Sequence, residues 1–181
     1  MSVNYQQGKG NPKAYRFDSL WQFEAPIEQV WQAICDSESW PKWWAYVVAV
    51  EGLEPGNTQS LGSLKRFHWR TQLPYQLVFE MRTTKIEAPN HLEGEAQGEL
   101  IGTGRWFLSQ DGAVTSVRYL WEVSTRKAWM NLLAPLLRPA FVWNHHQVMK
   151  QGARGLANYL GVSLINESSA SKQPLEAYKL G

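Results

Sequence analysis

"TSVRYLWEVSTRKAWMNLLAPLLRPAFVWNHHQVMKQGARGLANYLG", residues 115–161, changes its hydrophobic period once. At its start Thr115, Val117, Tyr119, Trp121 and Val123 alternate with Ser116, Arg118, Leu120 and Glu122. Period two is the mark of a strand whose two faces meet different surroundings. Beyond Arg126 the apolar residues recur at helical spacing instead. Arg138, Val142, His145, Met149, Gly152, Leu156 and Leu160 form one stripe, with polar Asn144, Lys150, Gln151 and Arg154 elsewhere. The pattern predicts one long amphipathic helix over 126–161. Pro135 and Pro139 predict a break or kink near its start, and Gly161 suits its C-cap.

Upstream, the strand period dominates. "YRFDSLWQFEA" (15–25) puts Tyr15, Phe17, Ser19, Trp21 and Phe23 on one face. "APIEQVWQAI" then reads as a short helix, with Pro26 in its first turn and Ile27, Val30, Trp31 and Ile34 on one side. "DSESWPKWW" reads as a second short helix capped by Ser39. Strand-like segments follow at 46–53, 62–71, 75–87, 91–100 and 101–110, separated by turn signals such as "EPGN" and "APN". "DG" at 111–112 is the strongest hairpin signal, just before the strand quoted above. Six consecutive strands with short turns must be largely antiparallel. One face of such a sheet needs cover, and only the terminal helix is long enough to supply it. The expected fold is therefore α+β, a curved antiparallel sheet of about seven strands wrapped around a long C-terminal helix.

The 181 residues suit one domain with a core of its own. Residues 1–13 are polar and read as a flexible arm, 14–161 as the folded domain, and the Ser-rich 162–181 as a flexible tail. The net charge of +2 does not by itself imply a nucleic-acid or anionic-membrane partner. With Cys35 the only cysteine, no internal disulfide can form. Neither a signal peptide nor a membrane-spanning run is visible, so a cytoplasmic location is expected. The unusual number is aromatic: 10 Trp, 7 Tyr and 6 Phe. Either the core is exceptionally ring-rich or rings line a hollow.

Particular stretches carry a resemblance. "FEAPIEQVWQAICDSESWPKWW", "GTGRWFL", "DGAVTSVRYLWEV" and "FVWNHHQVMKQGARGLANYL" together resemble the helix-grip superfamily of StAR-related lipid-transfer domains, pathogenesis-related allergens and polyketide cyclases/dehydrases, in its bacterial polyketide cyclase/dehydrase-like branch. The resemblance covers about residues 15–161. It implies a cavity between the concave sheet face and the long helix, entered near the short helices and hairpin loops. It implies a fold and not one chemistry.

The candidate lining follows from the alternation: Trp69, Phe79, Met81, Trp106, Tyr119 and Trp121 on the strands. Trp43 and Trp44 would stand at the cavity's end, and His145 and Met149 would face it from the helix. His145 reads either as a hydrogen-bonding or acid–base group for a ligand, or as a satisfied core histidine. Arg105, Arg118 and Glu122 read as solvated sheet surface. Lys65, Arg66 and Arg70 read as a small basic strand face, without the interleaved aromatics of a nucleic-acid groove. No metal-ligand spacing and no cofactor motif is present, so no cofactor is expected.

Two functions fit. One is a module binding an apolar small molecule, such as a lipid, polyketide or isoprenoid, in an aromatic-lined cavity. The other is a cyclase/dehydratase-type enzyme that uses the same cavity, with His145 shuttling a proton. Oligomeric state is not legible.

Overall fold

The structure, a computed structural model, describes residues 15–71, 75–126 and 128–172, with the side chains of 128–137 and 172 excepted. The expected arm at 1–13 and residues 173–181 of the expected tail lie outside the described residues.

Alternation builds the first strand. In β1 (Tyr15–Glu24), Phe17, Ser19, Trp21 and Phe23 are buried while their neighbours face outward. Pro26, in an extended conformation, turns the chain into α1 (Ile27–Cys35), which buries Ile27, Val30, Trp31 and Ile34. Its first amide, Ile27 N–H, donates to Gln110 Oε1 at 2.9 Å, so a strand side chain does the capping. A 3-10 helix (Ser37–Lys42) follows, with Asp36 rather than the expected Ser39 at its start. Ser39 falls inside this turn because the helix begins three residues earlier than the proline position suggested.

The next strands are β2 (Val47–Glu54), β3 (Leu64–Arg70), β4 (Gln76–Glu87), β5 (His91–Gly98), β6 (Leu100–Asp111) and β7 (Val114–Thr125). They form an antiparallel meander in the order β2-β3-β4-β5-β6-β7, and β1 pairs with β7. The Asp111–Gly112 hairpin is present, with Gly112 at φ 56°, a conformation glycine adopts without a Cβ penalty. α2 (Ala128–Leu160) runs unbroken. Pro135 and Pro139 each lack a backbone donor, yet neither ends it.

The expected tail needs correction. Leu164–Lys172 form an eighth strand, β8, antiparallel to β1. Its "LINESSASK" has no apolar alternation, because it is an edge strand held by backbone pairing and polar side chains. Ser19 Oγ and Ser169 Oγ lie 2.8 Å apart, and Lys150 on α2 reaches Glu167 at 3.4 Å. The sheet thus has eight strands with β2 and β8 as its edges.

Two hydrogen bonds tie α2 to the segment after the 3-10 helix. The Trp44 indole N–H donates to the Val148 carbonyl at 2.9 Å inside the core. Gln151 Oε1 accepts from the Ala45 amide at 2.9 Å. The approach needs two glycines. A Cβ on Gly152 would meet the Trp44 ring at 2.5 Å, and one on Gly155 the Trp43 carbonyl oxygen at 1.8 Å.

Gly155→Ala therefore forces backbone apart and is expected to cost about 2–3 kcal/mol, within the range for overpacked sites. A urea midpoint unchanged from wild type would contradict this contact.

Candidate functional site

Two chambers open on the concave side of the sheet. The larger, about 400 Å³, lies beneath α1, the 3-10 helix and the loop before β3, and reaches the surface at exposed Gln59 and Ser60. The smaller, about 140 Å³, lies against α2 between Phe141 and Met149. Six rings line both chambers and form the partition between them: Trp40, Trp69, Phe79, Trp106, Tyr119 and Trp121.

The strands set this partition by register. Trp106 and Tyr119 are cross-strand partners on β6 and β7, with ring centroids 4.0 Å apart and nearly parallel. Tyr119 in turn stacks on Trp121 at 5.9 Å, and Trp121 meets Phe79 at 5.9 Å. Gly104, opposite Trp121, leaves the space these rings use. A Cβ there would stand 2.8 Å from the Tyr119 hydroxyl and 3.0 Å from the Trp121 ring.

Five residues expected on the strand wall, Trp69, Phe79, Trp106, Tyr119 and Trp121, lie in the partition. Met81 lines the larger chamber, and Trp44, His145 and Met149 line the smaller. Trp43 lines neither. It stacks on the back of Trp44 at 5.3 Å, because the turn that sends one of two adjacent rings inward sends the other behind it. Arg105 and Arg118 face outward as expected, paired with Glu93 and Asp18 at 3.0 and 2.6 Å.

Four groups were misread or missed. Lys65 shares the inward face of β3 with Phe67 and Trp69, so it lines the larger chamber and does not belong to a basic outer face with Arg66. The alternation of β3 itself carried this signal, since adjacent Lys65 and Arg66 cannot share a face. Asn144, expected on the polar side of α2, is buried against the smaller chamber. Trp40 joins the partition from the 3-10 helix, where no strand parity points to it. Tyr15 and Tyr75 close the far end of the smaller chamber around Phe141, which lies 6.1 and 6.0 Å from them.

The smaller chamber holds few polar groups, and two ring nitrogens of residues lining the chambers are unpaired. Nε1 of Trp69 and Nδ1 of His145 are buried without a hydrogen-bond partner among the described residues. His145 stacks flat on Phe17 at 3.7 Å, and burial, reinforced by His146, pushes its imidazole down to about 3. Burial pushes the Tyr119 phenol up and the Tyr75 phenol up to about 12. The Cys35 thiol is likewise pushed up to about 11 by burial, against the opposing pull of Lys65, so it is protonated at neutral pH. Among the described residues no three His, Cys, Asp or Glu side chains are grouped to hold a metal ion, and no helix is long and apolar enough to cross a membrane.

Comparisons agree with this architecture. The chain is similar in structure to the Zhui aromatase/cyclase of Streptomyces sp. R1128, with a TM-score of 0.68 at 15% identity over 82% of this chain and 94% of that one. It is also similar to a START superfamily protein of Mycobacterium smegmatis, with a TM-score of 0.67 at 16% identity over 81% and 97% of the two chains. At these identities the likeness is one of fold. No curated protein matches in sequence. Residues 17–161 match the family described as polyketide cyclase/dehydrase and lipid transport, and with most of its length inside that match the chain belongs to this family.

Proposed function

We propose that this protein binds an apolar small molecule, a lipid, polyketide or isoprenoid, in the two chambers behind the aromatic partition. The observation that carries the reading is the partition itself. Six rings separate about 400 Å³ from about 140 Å³, with Nε1 of Trp69 in the partition and Nδ1 of His145 on α2 left unpaired among the described residues. Burial against rings would supply affinity, and the unpaired nitrogens would select for a ligand carrying a hydroxyl or carbonyl. The family description, which joins cyclization chemistry with lipid transport, supports a hydrophobic cargo without naming one.

The enzyme reading asks His145 to accept a proton. A base held down to about 3 is a poor acceptor near neutral pH, where catalytic groups work best with matched pKa values. The same burial suits a neutral imidazole that hydrogen-bonds a ligand.

Titrating the protein with the neutral probe N-phenylnaphthylamine tests the cavity. Saturable binding is expected, and Trp121→Ala should weaken it by about tenfold, or 1.4 kcal/mol, while circular dichroism stays native. Equal affinity in a folded Trp121→Ala variant would remove that ring from the wall.

The histidine makes a separate prediction. His145 has a folded pKa far below its unfolded value of about 6.5. The unfolded chain thus binds the extra proton, and stability present above about pH 6.5 is lost as pH falls toward 3. His146, also shifted down by burial, acts in the same direction. Between about pH 7 and 5.5, urea stability should fall in the wild type by at most about 1.4 kcal/mol per pH unit per histidine. The fall should be smaller in His145→Phe. Identical slopes would show that His145 is not buried neutral.

A further inference from the structure

We infer that the larger chamber takes a ligand bearing a carboxylate, seated on the Lys65 ammonium beside Ser37. This rests on the binding reading above and names the chemical class of its ligand. Phe67 and Trp69, two and four positions along β3, line the same chamber, so Lys65 stands at one end of an apolar row. Among the described residues lining either chamber, it is the only lysine or arginine.

Its present partners leave capacity. Lys65 Nζ donates to Ser37 Oγ at 3.1 Å and lies 3.4 Å from Glu38 Oε1. An ammonium carries three N–H donors, so one remains for the chamber. Glu38 is 57% exposed at its side chain against 22% for Lys65, so the pair sits at the solvent edge, where such contacts contribute little. Among the described residues lining the chamber, no free carboxylate answers the charge. Glu93 also lines it, but its carboxylate is held by Arg105 at 3.0 Å. The Cys35 thiol beside Lys65 is neutral.

A ligand carboxylate meeting this lysine would therefore be screened less than Glu38 is, with its apolar body lying toward Trp69, Phe79 and Trp121. One cation matches one negative charge. A phosphate monoester, carrying close to two charges, would bring one more than the chamber offsets.

The test is displacement of bound N-phenylnaphthylamine by decanoate and by decanol, which differ at the head group alone. In Lys65→Met the decanoate concentration needed is expected to rise about tenfold or more, while the decanol concentration stays within about twofold. Lys65→Arg should retain most of the decanoate affinity. Unchanged decanoate displacement in Lys65→Met, with decanol and the probe still binding, would overturn the carboxylate seat and leave the apolar cavity standing. Equal losses for decanoate and decanol would also overturn it, since the lysine would then only support the wall. A wild-type protein that binds neither probe nor competitor would overturn both readings at once.

Discussion

The hydrogen bond from the Trp44 indole to the Val148 carbonyl, 2.9 Å long and fully buried, is the contact on which the rest of this architecture depends. It joins the end of the 3-10 helix to the middle of α2. Gly152 and Gly155 let the two backbones approach, and Gln151 adds a second tie through the Ala45 amide. Pinned there, α2 packs closely along Ala153, Leu156 and Ala157, all buried. Between Phe141 and Met149 the smaller chamber lies against it.

The rings therefore have two jobs. Trp21 and Trp43 are core, each packed on Trp44, which also lines the smaller chamber. Trp69, Trp106, Tyr119 and Trp121 are both core and wall, since each packs on a neighbour and still borders open volume. Energy decides between an empty hollow and a filled one. At about 24 cal/mol per Å³, a dry 400 Å³ void would cost about 10 kcal/mol, comparable to the whole stability of a domain. The smaller chamber would cost about 3 kcal/mol on the same basis. The larger chamber thus holds water or ligand. The smaller, lined mostly by rings and aliphatic groups, matches the size of apolar cavities that stay dry and accept a single ring.

Much of this was legible in the sequence, for a reason visible in β6 and β7. Strict alternation on paired strands assigns every residue to a face, and there Trp106, Tyr119 and Trp121 turn inward while Arg105 and Arg118 turn outward. The readings failed where residue type was weighed above position. By residue type Lys65 and Arg66 read as one basic face, although a strand sends neighbours to opposite faces. Asn144 was placed with the polar side of α2, although only three residues separate it from buried Val148 and it faces the same chamber. Trp43 and Trp44 stand in a turn with no period, so sequence could not tell the buttress from the wall. β8 is held by backbone pairing to β1 and by serines, neither of which leaves a hydrophobic signature.

The aromatic partition is proposed to hold an apolar ligand in the chambers on its two sides. Native mass spectrometry of freshly purified protein, compared with its denatured mass, tests it most directly. The expected result is a reproducible excess mass on the native protein that is lost on denaturation, and that resolves on extraction into an apolar compound with an acidic group. A native mass equal to the bare chain, persisting after incubation with apolar carboxylates, would contradict it and leave the rings as core alone.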